Sequence, residues 1–201
     1  MQKRAVKVVL FDMDGVLIDS IDAWFQVVND TLKHFGYKPF TFEYFNKNFG
    51  TPIEQDAEQN YGGRNPEEIA DFYDKRFKNR LNKVKLFNGT IPTLKILKRQ
   101  KIKIALITNS TEYITYLILN HFKIKKYFSA IVTAADVKHG KPSPDLIFEA
   151  CKRLKVSPKN AILVGDSKYD MIAGRRAGCT TIGYKIKGDY KINQLSEVLK
   201  I

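Results

Sequence analysis

The run from Val6 to Phe11 is apolar apart from Lys7, and it ends in Asp12-Met13-Asp14-Gly15. Such a run reads as a buried strand. Successive strand residues point to opposite faces, so Asp12 and Asp14 share a side. They also lie at the carboxyl end of that strand, where open α/β sheets place their ligands. Gly15 lets the chain turn away without a Cβ clash. Two neighbouring carboxylates repel each other and lose solvation when partly buried. The pair suits a cation held between them, or a nucleophile beside a proton carrier. A plainer role is also open to Asp14, as the N-cap of whatever follows Gly15.

Beyond Leu17 the pattern becomes helical. Ile21, Trp24, Phe25, Val28, Leu32 and Phe35 share one helical face, which predicts a helix capped by Asp19 or Ser20 and closed at Gly36. The stripe reads as core packing, and His34 lies off it. Residues 37–49 are aromatic-rich and read as irregular. Pro52 is expected at the first position of a helix that stops before Gly62-Gly63. Asn65-Pro66-Glu67-Glu68 is a strong helix start, with Ile69, Phe72, Tyr73, Phe77 and Leu81 on one face. Residues 18–82 therefore read as helical, without a strand.

From Leu86 strands return. Asn88-Gly89 marks a turn, Pro92 opens a helix, and residues 102–107, 130–132, 161–164 and 180–184 read as four more strands with helices between them. This alternation predicts an α/β fold: a doubly wound parallel sheet, Rossmann-like, with helices on both faces in three layers. The helical stretch becomes an insertion between the first two strands. It divides the chain into an α/β core, residues 1–17 and 84–201, and a small helical cap, residues 18–83. The cap would hang over Asp12 and Asp14, where a lid belongs.

Each strand end carries its own chemistry. The second gives Thr108, Asn109 and Ser110, short donors beside a helix N-terminus, which favours an oxyanion. The loop after the third gives Lys141, stiffened by Pro142 and Pro144. The fourth gives Asp166 and Asp170, although Asp170 also reads as an acid in the first turn of a helix. In a parallel sheet these ends converge. Carboxylates at that density call for a hard cation, Mg²⁺ above others. A lysine and backbone donors beside Mg²⁺ call for a phosphoryl group.

Asp12-Met13-Asp14-Gly15, Thr108-Asn109, Lys141-Pro142-Ser143-Pro144 and Gly165-Asp166-Ser167-Lys168-Tyr169-Asp170 resemble, in order, the four motifs of the haloacid-dehalogenase-superfamily phosphohydrolases with a helical cap. The resemblance covers essentially the whole chain. It implies that Asp12 is a nucleophile forming an aspartyl-phosphate and that Asp14 is the acid/base. It implies Mg²⁺ held by Asp12, the carbonyl of Asp14, and Asp166. Thr108 and the backbone of Asn109 would grip the phosphoryl oxygens, and Lys141 would balance their charge. Asp170 would orient Lys141 or metal-bound water. Metal-free dehalogenase relatives replace the second acid, which is intact here as Asp14. The stronger rival is a sugar-phosphate mutase like beta-phosphoglucomutase, because Val16 follows Asp14-Gly15 where many phosphatases have threonine. Such mutases carry a histidine early in the first cap helix, where this chain has Trp24. Asp19-Ser20, Asn29, Gly36, Gly50-Thr51-Pro52 and Ala177-Gly178 are similar to the phosphoglycolate phosphatase and pyrophosphatase branch, though Ser110 replaces a lysine often seen there. The expected activity is hydrolysis of a small phosphomonoester, of phosphoglycolate or sugar-phosphate type.

Composition narrows the partners. The chain has 201 residues, 44% of them hydrophobic and 12% aromatic, enough for one packed domain with a small insertion. No apolar stretch approaches the roughly 20 residues of a membrane span. The basic start Met1-Gln2-Lys3-Arg4 is followed by too short an apolar run for a signal peptide. Cys151 and Cys179 have no metal-type spacing and read as buried fillers in a reducing cytoplasm. The formal charge of +13 fits a solvated basic surface, steering of an anionic substrate, or nucleic-acid binding on a retained fold. The lysines are dispersed and no nucleic-acid motif accompanies them, so nucleic acid is the disfavoured partner. A cytoplasmic monomer or weak dimer acting on a small molecule, with no membrane partner, is the expectation.

Overall fold

Val8–Phe11 (β1) is buried throughout, as its unbroken apolar run requires of a strand covered on both faces. The computed structural model describes residues 6–200, and the basic start at residues 1–4 lies outside them. The remaining strands are Ile18–Asp19 (β2), Lys85–Leu86 (β3), Lys103–Ile107 (β4), Ala130–Val132 (β5), Ala161–Gly165 (β6), Thr180–Tyr184 (β7) and Tyr190–Ile192 (β8). Six of them form a sheet in the order β5-β4-β1-β6-β7-β8, with every neighbouring pair parallel. The chain runs from β1 out to β4 and β5, then returns to β6 on the other side of β1. That reversal leaves a crevice beyond the carboxyl end of β1, where a ligand fits.

Alternate β1 residues serve two cores. Val9 and Phe11 pack with Leu94 and Leu97 of Thr90–Arg99 (α5) and with Ile114 and Ile118 of Glu112–His121 (α6). Val8 and Leu10 pack with Leu146 and Ile147 of Asp145–Leu154 (α7) and with Ala173 of Lys168–Ala177 (α8). Two helices on each face complete the three layers.

Between β2 and β3 lie four helices: Ile21–His34 (α1), Phe42–Asn48 (α2), Ile53–Asn60 (α3) and Pro66–Phe77 (α4). Asn65 caps α4 by accepting from the Glu67 amide at 2.9 Å, with Pro66 at the first position, as its sequence predicts. Trp24 packs on Phe77 and Tyr73 at centroid distances of 4.8 and 5.6 Å, joining α1 to α4.

The segment differs from the sequence expectation in several places. It is not free of strand: β2 pairs antiparallel with β3, Ile18 with Leu86 and Asp19 with Lys85. A two-residue strand carries too little periodicity to be read. Nor are residues 37–49 irregular throughout, because Thr41 accepts from the Tyr44 amide and starts α2. Pro52 occupies the N-cap of α3 with extended ψ rather than its first turn. Phe35 rather than Gly36 is the C-cap of α1, and α5 opens at Thr90, ahead of Pro92. The short edge strand β8 adds to the expected five. It is fixed from a distance, since the Asp189 carboxylate accepts from the Thr181 amide at 2.8 Å and its hydroxyl at 2.9 Å.

Candidate active site

The ends of β1 and β6 and the loop after β5 bring three charges together. Lys141 Nζ lies 2.6 Å from Asp12 Oδ1 and 2.7 Å from Asp170 Oδ1. All three side chains are buried. Burial works against the Lys141 ammonium, but Asp12 and Asp170 outweigh it and hold its pKa above the ordinary lysine range. Asp170 makes contacts on two sides. One oxygen takes Lys141; the other accepts from the amide and hydroxyl of Ser167 and closes the capping box of α8.

Asp166 completes a carboxylate cluster. One oxygen each from Asp12, Asp166 and Asp170 lie within 4.8 Å of one another. Burial, with Asp170 nearby, pushes the Asp166 carboxyl up to about 7. Burial and Asp170 likewise lift Asp12 well above the ordinary carboxylate range, against the pull of Lys141. Acids crowded this closely take up protons unless another cation shares the site. The donors are all oxygen, which suits a hard divalent ion. Gly15 makes the crowding possible: at φ +79° it adopts a left-handed turn, and a Cβ there would fall 1.8 Å from Asp166 Oδ2.

Asp14 is placed differently. Its Oδ1 accepts from the Ser20 hydroxyl at 2.5 Å and from Trp24 Nε1 at 3.0 Å, and its Oδ2 accepts from the Ser110 hydroxyl at 2.9 Å. Asp14 caps no helix. Ser20, expected as a helix cap, gives its hydroxyl to Asp14 and makes no side-chain cap bond. Trp24, read as packing, is both packing and donor. Helical periodicity marks a buried face but says nothing of an indole nitrogen at its edge. Ser110 reaches Asp14 from the loop after β4.

Asn109 acts through Lys141. Its side chain donates to the Lys141 carbonyl at 3.0 Å and accepts from the Lys141 amide at 2.7 Å. This two-point clamp fixes the loop that delivers the ammonium. A Cβ on the neighbouring Gly140 would lie 2.6 Å from the Asn109 carboxamide oxygen, so the clamp requires glycine there. Thr108 is buried at the end of β4, where its hydroxyl accepts from the Ser110 amide at 3.1 Å. The seven residues expected at the site thus lie near one another, six of them lining one cavity and Asp170 bonded to Lys141 behind it.

The sequence profile of the haloacid dehalogenase-like hydrolases matches residues 9–184. The chain belongs to that family. It is 30% identical over 217 residues to pyrophosphatase PpaX of Bacillus velezensis, across 100% of this chain and 98% of that one. It is 29% identical over 205 residues to phosphoglycolate phosphatase of Aquifex aeolicus, across 98% and 96% of the two chains. Among solved structures, a predicted phosphatase from Clostridium acetobutylicum superposes with a TM-score of 0.84 at 27% identity, covering 98% of this chain and 97% of that one. The Rossmann-like core and the phosphatase-type hydrolase implied by the four motifs both stand.

In this haloacid dehalogenase-like hydrolase the crevice beyond β1 opens into a cavity of about 900 Å³. Its floor is Asp12, Asp14, Lys141 and Asp166; Trp24, Phe45, Phe49 and Tyr73 form much of the opposite wall. Two contacts join the helical segment to the sheet around the mouth. Thr51 Oγ1 lies 3.2 Å from Tyr169 Oη, and the Thr111 hydroxyl donates to Asp74 at 2.5 Å. No helix among the described residues is long and apolar enough to cross a membrane.

Proposed function

We propose that the chain is a Mg²⁺-dependent phosphatase that hydrolyses a small phosphomonoester through an aspartyl-phosphate on Asp12. The observation that carries this reading is the contrast between two acids two residues apart: Asp12 ion-paired to Lys141, and Asp14 held by neutral donors. Asp12 Oδ attacks phosphorus and the ester P–O bond breaks. Asp14 delivers its proton to the leaving oxygen. Asp14, now a carboxylate, takes a proton from water as the water oxygen attacks phosphorus, and the Asp12 carboxylate leaves. Lys141 offsets the charge of Asp12 and of the phosphoryl oxygens, which Thr108 and the Asn109 backbone receive. Asp170 holds Lys141 in place. Asp12, Asp166 and the Asp14 carbonyl are the oxygens that would hold Mg²⁺, which when bound neutralises charge on the transferring group.

Residues 18–83 are proposed as the cap and residues 1–17 and 84–201 as the core, with the β2–β3 ribbon as the hinge between them. Trp24 Nε1 bonds Asp14 where a mutase would have its histidine, which supports hydrolysis over phosphoryl return to substrate. Turnover of p-nitrophenyl phosphate should vanish in EDTA and return with Mg²⁺. Full turnover in thoroughly chelated enzyme would refute the assignment.

A further inference from the structure

The two walls of the cavity differ in their balance of charge. On the core side the bases Lys141, Lys168 and Lys185 nearly offset the acids Asp12, Asp14, Asp166 and Glu112. The part contributed by residues 42–73 presents Glu54, Asp56 and Glu67 against one base, Lys47. An acidic wall runs against the chain's formal charge of +13, so it does not follow from composition.

Asp56 is the acid built into this wall. Its Oδ2 accepts from Tyr73 Oη at 2.9 Å and its Oδ1 from Asn60 Nδ2 at 2.7 Å. Tyr73 Oη lies 2.9 Å from Tyr61 Oη, and both phenol rings are buried. The Tyr73 ring meets Trp24 edge-on, and Trp24 bonds Asp14. A continuous line of contacts therefore runs along the wall from the proposed acid/base to Asp56. Each carboxylate oxygen accepts more than one hydrogen bond, so Asp56 keeps acceptor capacity for a ligand in the cavity it lines. Burial raises its pKa, against the pull of Asn60 and Tyr73. A second anionic group on a substrate would meet repulsion there, or a neutral acid, and no countercharge from this residue.

We infer that the cavity takes the monophosphate of a neutral or amine-bearing alcohol, with Asp56 accepting a hydrogen bond from a hydroxyl or ammonium of the leaving group, and discriminates against phosphoglycolate and pyrophosphate. The inference rests on the phosphatase reading above and selects within it. A polyol or sugar phosphate places donors where Asp56, Glu54 and Glu67 accept. Phosphoglycolate and pyrophosphate place a second anion there, and like charges facing each other across an interface are a strong device for rejection.

The test is kcat/KM of the full chain with Mg²⁺ on glycerol 3-phosphate, glucose 6-phosphate, phosphoethanolamine, phosphoglycolate and pyrophosphate, with p-nitrophenyl phosphate as reference. The best neutral or amine-bearing ester should exceed phosphoglycolate and pyrophosphate by about tenfold or more. Asp56→Asn, which keeps the shape of the buried network, should narrow that ratio about tenfold. Glu54→Gln with Glu67→Gln changes exposed side chains only. It should narrow the ratio a few-fold whether or not Asp56→Asn folds. A wild-type preference for phosphoglycolate or pyrophosphate overturns the inference and leaves the phosphatase standing. So does an unchanged ratio in the variants. Failure to turn over any ester, p-nitrophenyl phosphate included, would instead bring down the phosphatase reading and this inference with it.

Discussion

The floor of the cavity and the wall above it hold their carboxylates by opposite means. On the floor, Asp12 at the end of β1 and Asp170 in the first turn of α8 share the ammonium of Lys141 from the loop after β5, and all three are buried. Their geometry is fixed once the sheet forms. Asp14 instead takes two neutral donors, Ser20 and Trp24, from beyond the β2 strand, and one, Ser110, from the loop after β4. Its orientation therefore depends on both parts of the molecule at once. Asp56 repeats the neutral pattern in the wall itself, held by Asn60 and Tyr73. A buried ion pair fixes a carboxylate within one part of the fold, whereas a carboxylate held by neutral donors from two parts is positioned only when both are in place.

The sharpest way to break this comparison is to disable each acid separately. Asp12→Asn should lower turnover by about 10⁴-fold or more and leave no phosphoenzyme, because an amide is a very poor nucleophile. Asp14→Asn should slow steady turnover by about 10²–10⁴-fold. With p-nitrophenyl phosphate, whose leaving group needs little protonation, it should still give a burst and a phosphate adduct by intact mass. Near wild-type steady turnover in Asp14→Asn would remove Asp14 from the acid/base role.

Stability should separate the two kinds of acid next. Lys141→Met leaves Asp12 and Asp170 buried without their cation, at a cost of about 3–5 kcal/mol in urea denaturation at pH 8. The loss should shrink as pH falls, since a proton on a buried acid then replaces the missing ammonium. Ser110→Ala, which removes one neutral donor from the less buried Asp14, should cost about 1 kcal/mol. Equal losses would erase the distinction between the ion-paired acids and Asp14.

Metal linkage probes the floor alone. Asp166 is raised from an ordinary 3.8 to about 7 by burial and by Asp170. Between those values the folded state binds more protons than the unfolded, so this group's contribution to stability falls as pH rises through 7. Mg²⁺ competes with that proton, so it should raise Tm more at pH 8 than at pH 6. The stabilisation at saturating pH is about 2.7 kcal/mol when Mg²⁺ is at 100 times its Kd. Asp166→Asn should abolish most of the shift in differential scanning calorimetry, and a Mg²⁺ effect independent of pH would remove Asp166 from the metal set.

The smallest expected effect lies on the wall. Trp24→Phe keeps a ring against Tyr73 and Phe77 but deletes the indole donor to Asp14. One hydrogen bond is worth about 0.5–1.5 kcal/mol, so kcat should fall about two- to tenfold while KM changes little. A loss in KM alone would make Trp24 a packing residue, as its periodicity suggests.

The sequence by itself determined the parts that depend on short-range pattern. The apolar run into Asp12 and Asp14 requires a central buried strand, and the alternation of later strands and helices requires a parallel sheet. Strand ends in such a sheet converge, so Asp12, Thr108, Asn109, Lys141, Asp166 and Asp170 could be named together before any fold was seen. The helix start at Asn65-Pro66 was equally readable, since a cap and its first turn are local. Tertiary structure alone decided what rests on distant partners. The two-residue strand β2 exists because β3, more than sixty residues later, pairs with it. Ser20 leaves its capping role and Trp24 gains one beyond packing because the turn at Gly15 brings Asp14 within their reach. The Asn109 side chain becomes the clamp on Lys141 because Gly140 lets the two loops close to contact. Propensity and periodicity report what a residue's neighbours in the chain require of it, whereas a hydrogen bond across the fold is specified only when both partners are in place.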